Sequence, residues 1–226
     1  RDSNHRGKCT VTNVVNGESM PPVERNLGDE EVFVRFGRAH EILKKVKARG
    51  EETFDKVLST REPFGFMSNY DGWVERKPTN GLRYVMRGGD LVWVPRSAVS
   101  KNHDWIDRWK VFIAKASDGS GTYPQVVLGK PIVEGPGVVC SGTYLVAGVF
   151  DSEEEAKNCS SYLATRFVRF MVSLRKNTQD LTHAKMGFVP KLSMAHLWTD
   201  EELCERYELD EDQSEFIESM IQNVSW

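Results

Sequence analysis

Apolar side chains recur at helical spacing in the segment that follows Ser152. Ser152 can cap a helix whose first turn carries three glutamates, at positions 153–155, where the helix dipole favours acids. The apolar positions then form one stripe: Ala156, Cys159, Leu163, Phe167, Phe170 and Leu174. A sector about 80° wide beside that stripe is polar and largely cationic: Tyr162, Arg166, Arg169, Ser173 and Lys176. The pattern predicts one long helix that is core on one side and cationic on another.

Two further regions have helical periodicity. Between Gly37 and Gly50, apolar residues at 39, 42, 43 and 46 predict an amphipathic helix, and a second short helix is expected over residues 51–58. At the other end, Thr199 can cap a short helix. Residues 210–224 then predict a second one, with Phe216, Ile217, Met220 and Ile221 on its apolar face.

The middle of the chain has the shorter period of β-strands. Thr10–Val15 is a possible early strand. Turn residues separate the other runs, which cover 82–86, 91–94, 110–115, 125–128 and 143–150. The fold class predicted is α+β: a mixed or antiparallel sheet packed by a long amphipathic helix, with N-terminal and C-terminal helical segments. We expect one domain over 1–226, with a linker and helical lead-in (1–60), an α+β core (61–198) and an acidic helical tail (199–226).

Charge is distributed unevenly along this chain, although its net charge is only -3. Residues 1–198 hold 29 bases and 23 acids, whereas residues 199–218 hold ten acids and the single base Arg206. A nucleic-acid partner is therefore plausible for the basic part, although charged runs are often only solvated faces. The acidic tail argues against DNA contact at that end and is expected to pack as a lid.

Cysteine usage and hydropathy favour a cytoplasmic protein with no membrane partner. The four cysteines (9, 140, 159 and 204) are scattered, so neither a disulfide framework nor a zinc site is predicted. No apolar run approaches the roughly 20 residues of a membrane span. The chain begins Arg-Asp-Ser-Asn-His-Arg, without an initiator Met or a signal peptide, which suggests a fragment of a larger chain.

Catalytic motifs of a DNA adenine methyltransferase are absent from the sequence. Such an enzyme needs an Asn/Asp-Pro-Pro-aromatic loop and a Gly-rich turn for its cofactor, but Val23 follows the only Pro-Pro pair. A magnesium-dependent restriction nuclease remains an alternative, with Glu75-Arg76-Lys77 as its Glu-x-Lys element and Asp55 or Asp71 upstream. The motif is short enough to arise by chance, so binding is favoured over catalysis.

DNA reading needs cations for phosphates and amide, hydroxyl or guanidinium groups for base edges. Such side chains cluster in five segments and form the predicted DNA-binding set: Arg61, Asn69, Lys101, Asn102, Lys115, Ser117, Ser120, Thr122, Arg175, Lys176, Asn177 and Gln179. Loop residues would specify bases, and Arg166, Arg169 and Arg175 would bind phosphate or support the loops. No catalytic, cofactor-binding or metal-binding residue is predicted.

The order of several short motifs resembles the C-terminal region of adenine-specific DNA methyltransferases of restriction-modification systems. The similarity covers nearly the whole chain. The motifs are Lys8-Cys-Thr-Val-Thr12, Pro63-Phe-Gly65, Trp109-Lys-Val111, Thr143-Tyr-Leu-Val146, Thr165-Arg-Phe-Val-Arg-Phe170, Leu174-Arg-Lys-Asn-Thr-Gln179, Phe188-Val-Pro190 and Trp198-Thr-Asp-Glu-Glu-Leu203. A looser similarity links residues 110–174 to one half of a type I specificity subunit.

This resemblance implies a target recognition domain that reads double-stranded DNA while a catalytic methyltransferase domain of the same protein flips and methylates an adenine. S-adenosylmethionine would be the cofactor of that parent enzyme, and none is expected in this fragment. Two positions depart from the family pattern: Gly142 stands where an acid is expected, and Asn177 replaces an apolar or β-branched residue. A third alternative is a subunit-interaction module that uses the acidic C-terminal helices.

Overall fold

The computed structural model describes residues 8–15, 17–19, 21–26, 28, 30–86, 88–117 and 122–226, without the side chains of Val15 and Glu18. Five helices lie in this part of the chain: α1 (Gly37–Ala48), α2 (Glu153–Ala164), α3 (Arg166–Ser173), α4 (Asp200–Arg206) and α5 (Glu211–Met220). The strands in it are β1 (Cys9–Val11), β2 (Val14–Val15), β3 (Glu18–Ser19), β4 (Val23–Arg25), β5 (Gly81–Val85), β6 (Val92–Pro95), β7 (Trp109–Ala114), β8 (Ile132–Glu134), β9 (Val138–Cys140) and β10 (Tyr144–Phe150).

The central sheet is antiparallel, with the strand order β10-β7-β8. Side chains of β7 alternate between its faces, because successive residues of a strand point in opposite directions. Val111 and Ile113 belong to the core that contains the helices, whereas Phe112 belongs to a second core on the opposite face. The central sheet is therefore buried on both sides.

A second sheet covers the face of the central sheet that the helices leave free. Its strand order is β6-β5-β9, with β5 antiparallel to β6 and parallel to β9. Its core joins Phe64, Tyr84 and Ile106 to Phe112 and Val146 of the central sheet. The prediction of an α+β fold with mixed and antiparallel pairing is confirmed.

The long helix predicted after Ser152 is two helices, so the prediction of one continuous helix is wrong. Ser152 does cap it, accepting a hydrogen bond from Glu155 N, but α2 ends at Ala164 and α3 begins at Arg166. Between them Thr165 is extended (φ −58°, ψ 148°), and its hydroxyl accepts from Val168 N as the cap of α3. The apolar stripe is nevertheless buried from Ala156 to Phe170, because both helices pack on the same core.

An acid from α4 completes the cap of α3. The carboxylate of Asp200 accepts hydrogen bonds from the backbone amides of Phe167 (2.8 Å) and Arg166 (3.0 Å). These amides have no partner within the helix, and a negative charge there is favoured by the helix dipole. A contact 34 residues away in the chain therefore stabilises the break.

Replacing Asp200 with alanine should lower the free energy of unfolding by about 2 kcal/mol, since two charge-assisted hydrogen bonds to backbone amides are lost. The measurement is urea denaturation followed by circular dichroism. Glu201→Ala is the matched control, because this exposed acid lies in the same turn. We expect the control to change stability by less than about 0.5 kcal/mol, and equal losses in the two variants would contradict the capping role.

Three other expectations differ from the structure. The helix expected over 51–58 is reduced to a 3-10 turn at Phe54–Lys56, because Phe54 N donates to Val189 O and Thr53 forms a bridge with Pro190. The run 125–128 is not a strand: Gln125 makes only a bridge to Ile221, and Val127 has a left-handed backbone (φ 69°). The helix expected over 210–224 ends at Met220.

The acidic tail is part of the helical core. Its apolar side chains are buried, among them Leu203, Tyr207, Ile217 and Met220, and the ring of Tyr207 stacks on Phe167 at 5.1 Å. Capping boxes start both tail helices, at Thr199 as expected and at Asp210. In the described part of the chain, no helix is both long and apolar enough to cross a bilayer.

Candidate nucleic-acid interface

At one edge of the molecule, β7 and α3 end and β10 begins, and the loops there lie close together. The loop after β7 is bonded to the start of β10, because Lys115 N donates to Thr143 O (2.9 Å). It is also bonded to the loop after α3, through Leu181 N to Lys115 O (2.6 Å) and Ser117 N to Gln179 O (3.2 Å). We call this surface the loop edge and define it as residues 61–69, 115–117, 122–125, 141–143 and 175–181.

A cleft of about 480 Å³ opens at the C-terminal end of α3, within the usual size range of ligand pockets. Four predicted residues line it: Arg175, Lys176, Asn177 and Gln179. The cleft also contains residues that the sequence did not single out, including Arg35, Phe36, Tyr123 and Gln125. They come from two other segments, and no local spacing relates them to residues 175–179.

Lys176 and Ser117 hold the wall of this cleft in place. The ammonium of Lys176 donates to Ser117 Oγ (2.6 Å) and to Val127 O (2.6 Å), and the Ser117 hydroxyl also donates to Val127 O (2.6 Å). Their hydrogen-bonding groups are therefore directed at the protein itself. In this geometry both side chains fix the loop before Val127.

Arg175 is also engaged within the protein. Its guanidinium stacks on the Phe188 ring, 4.6 Å from the ring centroid, and donates to Glu31 Oε2 at 3.1 Å. The Arg175 side chain is only 14% exposed, whereas Glu31 lies largely in solvent. An anion that approached this cleft would meet Arg175 only in competition with Glu31.

Arg166 and Arg169 are positioned by similar internal contacts. Arg166 pairs with Glu218 at 2.6 Å. Arg169 is buried and donates to the carbonyl oxygens of Ala164 (3.0 Å), Thr165 (3.3 Å) and Val126 (3.3 Å). Burial lowers the pKa of the Arg169 guanidinium to about 10, which leaves it charged at neutral pH. Arg169 donates to carbonyl oxygens at the C-terminal end of α2, where the helix breaks, so it supports the structure around the cleft.

Five exposed members of the predicted set lie along the loop edge. Asn69, Thr122, Asn177 and Gln179 are exposed, and Lys115 is half-buried. Arg61 is exposed and forms an ion pair with Asp180 at 3.3 Å, which links the loop before Pro63 to the loop after α3. Thus amides, hydroxyls and cations from well-separated parts of the chain share one surface.

Lys101 and Asn102 lie beside the loop that contains Pro63 and Phe64. Ser100 N donates to Phe64 O (3.2 Å), and the Asn102 side-chain amide donates to Pro63 O (2.7 Å) from a left-handed backbone (φ 51°). Asn102 therefore orders residues 63–65, whereas Lys101 is exposed. Ser120, with the rest of 118–121, lies outside the described residues.

The residues of the nuclease alternative have ordinary structural surroundings. Glu75 is exposed, and the ammonium of Lys77 lies over the Trp93 ring at 5.0 Å. Asp55 accepts a hydrogen bond from the Thr53 hydroxyl inside a 3-10 turn. Within the residues that the structure describes, no three His, Cys, Asp or Glu side chains are grouped so that they could hold a metal ion.

Neither a protein-family model nor a curated protein matches the chain.

Proposed function

We propose that this chain is a sequence-specific DNA-binding unit, non-catalytic by itself, that acts as the target recognition region of an adenine-N6 DNA methyltransferase of a restriction-modification system. The observation that carries the proposal is the loop edge. There Asn69, Thr122, Asn177 and Gln179 are exposed together, although they come from three distant segments of the chain. Asn and Gln can bond both edge atoms of an adenine, and hydroxyls bond several bases.

The cations at and beside this edge have divided roles in the proposal. Arg61, Lys101 and Lys115 would contact phosphates. Arg61 and Lys101 are exposed, Lys115 is half-buried, and the ion pair of Arg61 with Asp180 lies at the surface, where a phosphate can compete for the guanidinium. Lys176, Arg175 and Arg169 would keep the loops rigid, since their donors are already bonded within the protein. Phosphate contacts give affinity and register, whereas base contacts give sequence discrimination.

The ten acids after Thr199 orient the unit on the duplex. The apolar faces of α4 and α5 pack into the core, so exposed acids such as Glu201, Glu205 and Glu211 face solvent. Negative charge there repels DNA and leaves the loop edge as the favoured docking surface. In the parent enzyme a separate catalytic domain would bind S-adenosylmethionine and flip the adenine that this unit has located.

The binding test uses the 226-residue chain and a pool of 30-base-pair duplexes of random sequence. Duplexes that the chain enriches are then measured by fluorescence anisotropy across a salt series. We expect one enriched sequence motif, and we expect the logarithm of the affinity to fall linearly with the logarithm of the salt concentration. Absence of binding at low salt, or affinity that does not weaken with salt, would contradict the proposal.

The variant Asn177→Ala/Gln179→Ala should weaken binding to the enriched duplex at least about tenfold, because each base contact contributes roughly 1–3 kcal/mol of discrimination. Binding to a scrambled duplex should change less than about twofold, since phosphate contacts remain. Asn223→Ala, which removes an exposed amide beyond the acidic helices, serves as control. Equal weakening on both duplexes would show that the two amides do not read bases.

A further inference from the structure

The loop that begins at Glu62 has a fixed and strained backbone. Glu62 adopts a left-handed conformation (φ 55°), which is uncommon for a residue with a side chain, and Gly65 adopts another (φ 90°). Gly65 N closes the turn by donating to Glu62 O (3.0 Å). Such backbone conformations persist only where the surrounding structure imposes them.

Buried aromatic rings anchor the loop from below. Phe64 and Phe66 belong to the second core, and the Phe66 ring lies 4.7 Å from the Tyr70 ring and 5.1 Å from the Tyr84 ring, measured between centroids. Asn102 and the Ser100 amide bond the carbonyls of Pro63 and Phe64. The backbone of the loop is therefore held at both rings and at both carbonyls.

Gly142 forms the seat on which this loop lies. A β-carbon on Gly142 would be 2.9 Å from Phe66 O, closer than real contacts allow, and 3.0 Å from Ser68 N, which is tighter than most real contacts. The conflict is purely one of space, because the backbone of Gly142 is not left-handed. The family departure at this position therefore allows the loop to pack directly against the start of β10.

These constraints present three consecutive side chains to solvent at the tip. Tyr70 N donates to Met67 O (3.2 Å) and closes the tip, while Met67, Ser68 and Asn69 are all exposed. Met67 is 57% exposed although it is apolar and follows a fully anchored phenylalanine. The tip lies on the loop edge, because Gly142 adjoins Thr143, whose carbonyl accepts from Lys115 N.

We propose that Met67 is a wedge that inserts between two base pairs of the bound duplex, with Ser68 and Asn69 bonding to the adjoining bases. This inference rests on the proposed function and adds a residue and a mode of contact to it. Apolar side chains, methionine among them, unstack a base step when a rigid framework presents them beside polar and cationic contacts. Unstacking also lowers the cost of extruding a nearby base.

The experiment measures Met67→Ala on the enriched duplex defined above and on its scrambled counterpart. We expect about tenfold weaker binding to the enriched duplex and less than about twofold change on the scrambled one. With 2-aminopurine placed at successive positions of the enriched duplex, the wild-type chain should raise fluorescence at one step, and Met67→Ala should abolish that rise. Met67→Leu should retain it, because leucine is also an apolar wedge.

Leu197→Ala is the matched control, since it removes another exposed apolar side chain and should leave both duplexes bound normally. Gly142→Ala alters no exposed side chain but displaces the backbone of residues 66–68, and it should also abolish the fluorescence rise. If the wild-type chain enriches no duplex, the proposed function fails. If the wild-type chain does enrich a duplex but Met67→Ala binds that duplex equally well, the wedge alone is overturned. The wedge alone is also overturned if replacing thymine by uracil weakens binding as Met67→Ala does, since Met67 would then contact a thymine methyl group.

Discussion

Replacing Lys110 with methionine should lower the free energy of unfolding by about 3 kcal/mol, because buried carbonyl groups lose their hydrogen-bond donor. Lys110 is fully buried near the start of β7. Its ammonium lies within hydrogen-bond distance of four carbonyl oxygens, which share its three N–H donors: Trp105 (3.1 Å), Ile106 (3.1 Å), Arg108 (2.5 Å) and Gly135 (3.1 Å). One charge thereby ties the turn before β7 and the loop after β8 to the central sheet.

Two contributions oppose each other at this site. Methionine has nearly the same length and would remove the cost of burying a charge, which often makes such replacements neutral. However, it offers no donor to the carbonyls. Among the described residues, the backbone N–H groups of Arg108 and Gly137 also donate to Trp105 O and Ile106 O. We expect the loss of the donor to Arg108 O and Gly135 O to outweigh the gain from removing a buried charge, so that the replacement destabilises the protein.

The pH dependence gives a second test of the same residue. Burial lowers the pKa of Lys110 from 10.5 to about 8. Between these values the unfolded chain holds a proton that the folded chain has released, so stability rises with pH in that window. The stability difference between wild type and Lys110→Met should therefore widen from pH 8 to pH 10.

Urea denaturation at several pH values measures both effects. Lys157→Met is the control, because this lysine is exposed on α2 and pairs with Glu153 across one helical turn. Such a pair contributes less than about 0.5 kcal/mol. A Lys110→Met protein as stable as wild type would show that the carbonyls reorganise or take up water without cost.

Periodicity was sufficient to predict most elements but not the break between α2 and α3. The apolar stripe continues through Thr165 at unchanged spacing, and no Pro or Gly interrupts it. Thr165 caps α3 at the break, and Asp200 stabilises it by bonding the amides of Arg166 and Phe167 from a distant helix. A local pattern carries no information about such a contact, whereas the local cap at Ser152 was correctly predicted.

The candidate site was predictable in residue type and only partly in exposure. Asn177 and Gln179 follow a helix end and are exposed, as expected of loop residues. In contrast, Arg175 is paired with Glu31, and Lys176 with Ser117, across 144 and 59 residues of chain. Which cations are free to meet a phosphate depends on these long-range pairs, and they arise only when the chain folds.

Long-range contacts also explain why the sequence alone did not single out Met67. A single methionine between Phe66 and Ser68 has no periodic meaning. The backbone on either side of it packs against Gly142, 75 positions later in the chain. Nothing in the spacing of residues around Gly142 indicates a contact with residues 66–68. The physical role of this glycine is the space that it leaves for the backbone of residues 66–68.

Replacing Arg169 with methionine should lower the free energy of unfolding by about 3 kcal/mol without altering the number of phosphates that the chain contacts. Arg169 lies in the cationic sector predicted from the sequence, yet it is 1% exposed and its donors face three carbonyl oxygens of residues 126, 164 and 165. Removing this buried charged donor takes one hydrogen bond from each carbonyl. Thr165 O and Val126 O still accept backbone N–H groups, from Arg169 and Leu128, so the loss is greatest at Ala164 O, at the helix break. A phosphate cannot replace them as the partner without unfolding this region.

Comparing Arg169→Met with Arg61→Met distinguishes an arginine that supports the fold from one that contacts DNA. Arg61 is exposed and forms a surface ion pair with the half-exposed Asp180, so its replacement should change stability by less than about 0.5 kcal/mol. If Arg61 meets a phosphate, the slope of log affinity against log salt should fall by about one in Arg61→Met. In Arg169→Met, measured where circular dichroism shows a folded chain, that slope should equal the wild-type value. A reduced slope for Arg169→Met would instead mean that this guanidinium reaches the DNA, which would require α3 to move away from Val126 when DNA binds.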